Sequence, residues 1–173
     1  MSALITFRKL NINNIMKEYA TKDIRNVVLL GSTRSGKTTL SESMLYEGKV
    51  IDRRGSVEEK NTVSDNTEYE QTNQKSISAT ALYAEFGGTK INIIDAPGSD
   101  DFCGGALAAF KVCESGILTV NSQNGVEVGT EIYARYAKQY GIPLIVAVNQ
   151  LDHEKASWEH TLETLKEAFG KKI

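Results

Sequence analysis

Apolar residues fall in short runs separated by polar stretches, and the spacing of those runs changes along the chain. The run at 26–30 (N-V-V-L-L) has the length of a buried strand, and 38–45 continues with helical spacing. Residues 49–75 are rich in Glu, Asn, Thr and Ser and keep neither period; a loop that long is usually functional. The pattern at 78–86 predicts a strand, Gly87 and Gly88 a hairpin turn, and 90–94 the returning strand. Two more apolar runs, 116–120 and 143–148, predict strands, with helices expected over 101–113, 126–140 and 157–169. Strands alternating with helices imply an α/β fold with a mostly parallel sheet, one antiparallel edge hairpin and helices on both faces. Ligands of such sheets bind at the carboxyl ends of the strands.

The turn between the first strand and the first helix carries the strongest chemical signal. It reads Gly31, Ser32, Thr33, Arg34, Ser35, Gly36, Lys37, Thr38, a G-x-x-x-x-G-K-[ST] phosphate loop that runs into Thr39. Backbone N–H groups in such a turn, together with the helix N-terminus, hold an anion without a dense positive charge. Lys37 is placed to reach the terminal phosphates of a nucleotide, and the Thr38 hydroxyl to ligate Mg²⁺.

Length and charge narrow the partners. The 173 residues make about one domain, and a net charge of −2 argues against holding DNA or RNA by a basic field. Cys103 and Cys113 form no C-x-x-C pair, so buried free thiols are expected, and neither a disulfide framework nor a zinc site. No stretch approaches the length of an apolar membrane span and no secretory pattern opens the sequence, so a cytoplasmic location is expected. Residues 1–22 read as an extension ahead of a nucleotide-binding domain over 23–173.

Two further motifs name the nucleotide. Asp95-Ala-Pro-Gly98 ends a strand with a D-x-x-G turn, placing Asp95 to hold Mg²⁺ through water and the Gly98 N–H to meet a γ-phosphate. Asn149-Gln150-Leu-Asp152 ends a later strand; the Asp152 carboxylate can accept two hydrogen bonds from guanine that adenine cannot supply. GTP or GDP is therefore the expected ligand, with Mg²⁺. His153 and His160 sit at the base end and are expected on the surface, and Trp158 is expected to anchor the last helix by packing.

These motifs in this order resemble the G domain of a translational GTPase, nearest to elongation factor G and its relatives, over 23–169. Gly55, Thr62, Asp65, Glu70 and Gln71 are similar to that family's mobile first switch, as are Phe102, Gly125-Val-Glu127 and Thr130-Glu131 to later family positions. The resemblance implies a P-loop G-domain fold and puts Ser76 where the family has its Mg²⁺-binding switch threonine. It also exposes departures. Ser99 stands where the family has the histidine that positions the attacking water. Asn73-Gln74-Lys75 replaces Arg-Gly-Ile, Arg34 replaces an aspartate, and Gln150 replaces the lysine whose stem covers the base.

Water-positioning groups typically contribute ~10²–10⁴ in rate. GTP binding with slow or absent hydrolysis is therefore expected, intrinsic or ribosome-stimulated. Arg34 is a candidate charge stabiliser acting in cis, or a solvent-facing side chain. The resemblance also implies that the family's last nucleotide motif, final strand and final helix are absent, and that ribosome contact belongs to domains outside this chain. A ribosome-protection protein, another translational GTPase, or a GTP-sensing module without turnover remain alternatives.

Overall fold

The computed structural model describes residues 17–170. The first 16 residues of the expected extension lie outside the described residues. Five strands form one sheet: β1 (Ile24–Leu30), β2 (Thr80–Phe86), β3 (Thr89–Asp95), β4 (Ser115–Asn121) and β5 (Leu144–Asn149), in the order β2-β3-β1-β4-β5. β1 runs parallel to β3 and β4, and β4 parallel to β5; β2 and β3 form the antiparallel edge hairpin. The alternation of elements implied this mostly parallel α/β sheet with its antiparallel edge hairpin, and the family resemblance implied the P-loop G-domain fold that it forms.

Side chains of β1 alternate between the two faces, and each face has its own core. Val28 and Leu30 pack with Leu118 against α3 (Gly104–Ala109) and α4 (Val128–Tyr140) through Ala106, Ala109, Tyr133 and Ala137. Leu29 faces the other way and joins Ile93, Ala84 and Ile117 against Leu40 and Met44 of α1 (Lys37–Glu47). Cys113 closes the first core, where burial pushes its thiol up to about 11. Cys103 is only half-buried, so the expectation of buried thiols holds for one of the pair.

Three local expectations need correcting. The polar stretch at 49–75 contains a helix, α2 (Glu68–Asn73), opened by a reciprocal capping box between Thr67 and Glu70. The helix expected over 101–113 is broken into a 3₁₀ turn, Asp100–Phe102, and the short α3, which opens on two glycines poor in helix propensity. Trp158 begins α5 (Trp158–Phe169) at 47% exposure, so it is no packing anchor; Thr161 and Leu165 dock that helix instead. His153 and His160 are exposed, as expected.

Candidate nucleotide site

The ends of β1, β3 and β5 bring the three motifs to one edge of the sheet. The loop from Gly31 to Thr38 wraps the N-terminus of α1, whose buried face is mostly polar: Lys37, Thr38, Ser41 and Glu42 beside Leu45. A polar helix face stays buried only where it finds partners. Lys37 Nζ donates to Gly31 O at 3.0 Å and Ser32 O at 2.9 Å, which curls its side chain over the loop. Burial lowers the Lys37 ammonium to about 8, against the pull of the Asp95, Asp65 and Glu127 carboxylates. Ser35 Oγ pairs with Thr119 Oγ1 at 2.7 Å, and Thr119 Oγ1 reaches Leu30 O at 2.9 Å, fixing the loop to β4.

Two glycines allow the motifs to touch. Gly36 has φ +89° and carries no Cβ because Asn149 Nδ2 occupies that space. Asn149 Nδ2 donates to Ser35 O at 3.1 Å, joining the loop after β5 to the phosphate loop. A Cβ at Gly98 would lie 2.5 Å from Lys37 Nζ and 2.7 Å from Thr33 N, so the D-x-x-G turn rests on the phosphate loop. Gln150 Nε2 donates to Arg34 O at 2.9 Å, so this residue still bridges the two loops although it is not a lysine. Arg34 has φ +64° and Thr39 lies in the first turn of α1; both are exposed, as is Asp152.

A compact set of oxygens gathers beneath the phosphate loop. Thr38 Oγ1 donates to Asp95 Oδ2 at 2.8 Å and lies 3.4 Å from Ser76 Oγ. Ser64 Oγ donates to Asp95 Oδ2 at 2.6 Å, and Ser76 Oγ to Asp65 Oδ1 at 2.7 Å. Asp95 Oδ1 is buried and has no partner. Burial pushes both the Asp95 and Asp65 carboxyls upward, against the hydrogen bonds of Ser64 and Ser76. Among the described residues no trio of His, Cys, Asp and Glu forms a metal cage. Hydroxyls and two carboxylates around an unpartnered oxygen are instead the hard donor set that suits Mg²⁺ with some waters retained.

Thr38, Ser76 and Asp95 were thus marked in the sequence, whereas Ser64 was missed and Asp65 was noted only as a switch position. The clue was the T-V-S-D run at 62–65, short polar side chains inside a long loop. Glu42 was missed as well. It is fully buried and accepts from Gly55 N at 2.9 Å and Val63 N at 2.6 Å, tying that loop to α1. Ser99 is half-buried, and its Oγ lies 3.4 Å from Asp101 Oδ2, within its own turn.

Comparison with known proteins agrees with this geometry. The family described as the elongation factor Tu GTP binding domain matches residues 22–173. An elongation factor G-like protein of Mycobacterium tuberculosis is 35% identical over 150 residues, covering 87% of this chain and 21% of the relative. Elongation factor G of Dehalococcoides mccartyi is 32% identical over 156 residues, covering 90% of this chain and 22% of its own. A crystal structure of a Thermus thermophilus protein superposes with TM-score 0.81 at 35% identity, over 85% of this chain and 22% of that one. A bacterial selenocysteine-specific elongation factor superposes with TM-score 0.64 at 25% identity, over 83% of this chain and 22% of that one. The chain spans about a fifth of the length of these relatives.

Proposed function

We propose that this chain, which belongs to the elongation factor Tu GTP-binding domain family, holds GTP for an elongation factor G-like protein that acts on the ribosome and turns GTP over slowly or not at all. The observation that carries this reading is the meeting of phosphate loop, D-x-x-G turn and Asn149-Gln150-Leu-Asp152 at one sheet edge, with Ser99 at the position expected to orient water.

The assigned parts divide the work. Gly31 to Thr39 take the phosphates, Gly98 offers its N–H to the γ-phosphate, and Asn149, Gln150 and Asp152 take the base. Thr38, Ser76 and Asp95 would hold Mg²⁺, which would neutralise phosphate charge when bound. Contact with the ribosome belongs to domains outside this chain, and the cytoplasm is the place of action. No described helix is long and apolar enough to cross a membrane.

A second reading within the same site is a GTP sensor that binds its partner without turnover. The short Ser99 side chain, facing Asp101, favours it. A ribosome-protection protein or another translational GTPase is compatible with the same site, because the distinguishing domains lie elsewhere.

Competition binding tests the base assignment. GDP and GTP should displace labelled GDP, and ATP in about 100-fold excess should not. Asp152→Asn removes a charged acceptor of two hydrogen bonds and should weaken GTP by about 100-fold or more, at ~1.5–3 kcal/mol per bond. Equal displacement by ATP, or an unchanged affinity in the variant, contradicts the assignment.

A further inference from the structure

Tyr133 lies in the second turn of α4, and nothing above gives it a part in the site. Its ring is fully buried in the core with Val28, Leu30, Ala96 and Ala106, which holds the side chain in place. Its hydroxyl leaves that apolar setting at the D-x-x-G turn. There it donates to Pro97 O at 2.7 Å and lies 3.5 Å from Ser99 O. A buried hydroxyl ordinarily finds some acceptor. The important point is which peptide this one holds.

Pro97 O and Gly98 N belong to the same peptide unit. That unit is planar and trans, so its C=O and N–H point in opposite directions. Fixing the oxygen toward α4 aims the Gly98 N–H away from α4. The phosphate loop lies against this glycine, with Thr33 N and Lys37 Nζ beside the position of a Cβ. We infer that Tyr133 is a positioning residue that sets the Gly98 N–H for the γ-phosphate by holding the Pro97 carbonyl. The inference rests on the GTP reading and deepens it, because it names a residue that favours a triphosphate over a diphosphate. A turn already held needs no ordering when the γ-phosphate arrives, which raises affinity for GTP. GDP has no group at that peptide and gains nothing from it.

Tyr133→Phe keeps the ring and removes one oxygen atom; Tyr133→Leu is a second apolar variant lacking the hydroxyl. In each, affinity of the full chain for GTPγS should fall about 3- to 10-fold, the range of a single hydrogen bond. Affinity for GDP should stay within about 2-fold. A residue that served stability alone would lower the thermal midpoint and weaken both nucleotides equally. That result, or an unchanged ratio of the two affinities, overturns the inference while leaving the GTP reading intact. Failure of the unsubstituted chain to bind either nucleotide overturns both together.

Discussion

At Arg34 the backbone and the side chain have different surroundings. The carbonyl is held by Gln150 Nε2, whereas the guanidinium is exposed and has no hydrogen bond among the described residues. An exposed, unpartnered side chain changes energetics little when truncated. Arg34→Ala should therefore keep GTP affinity within about 2-fold. Gln150→Ala, which unties two loops of the site, should weaken it about 3- to 10-fold. Titration with a fluorescent nucleotide measures both, and a roughly tenfold loss in Arg34→Ala would place the guanidinium on the phosphates after all.

The same contrast shows what was legible residue by residue. Glycines and motif side chains announce themselves because their spacing is dictated by a phosphate and a base. Ser64 and Glu42 do not, because their partners lie 31 residues away at Asp95 and 21 away at Val63, and only the folded chain brings them together.

Among the elements, α1 and the segment after it carry most of the site. α1 has little apolar stripe to read, since its inner face is spent on Lys37, Thr38, Ser41 and Glu42. It is recognisable from the phosphate loop that precedes it more than from its own period. α2 is short, and its signal is the Thr67–Glu70 capping box, easily lost in a polar stretch. Glu70 then accepts from Ile77 N at 3.0 Å and Ser78 N at 3.2 Å; burial opposes its charge, and these bonds still hold the carboxyl below its usual range.

Between the two helices the loop is held to α1 by Glu42. Glu42→Gln offers one acceptor atom where the carboxylate offers two, so either Gly55 N–H or Val63 N–H faces an amide NH₂. The cost should be about 1–3 kcal/mol. Urea unfolding should register that loss, and limited proteolysis should cut faster within 55–64. Equal midpoints and equal cutting would show that the loop is secured by other contacts.

For the molecule as a whole, the alternation of apolar runs and helices implied a mostly parallel sheet with one antiparallel edge hairpin, while the strand order β2-β3-β1-β4-β5 came only from the fold. An edge hairpin with a Gly87-Gly88 turn and three parallel crossings leave few arrangements of five strands. The exposed face of Trp158 was not legible, because a large aromatic residue at a helix start reads the same whether it is covered or bare. The site follows from the topology. Parallel strands deliver Leu30, Asp95 and Asn149 to one edge, which brings the three motifs together. The proposed loss of turnover rests on Ser99, a short hydroxyl in the turn that follows Gly98.

A site that grips GTP without readily cleaving it should reveal itself in single-turnover release of labelled phosphate from bound γ-labelled GTP, measured with ribosomes on the longer protein that carries the ribosome-contacting domains. GTP should be retained intact, with phosphate appearing at least about 100-fold more slowly than from a family member carrying histidine at the position of Ser99. Release at the rate of such a family member, or no retained GTP at all, would contradict the proposed grip.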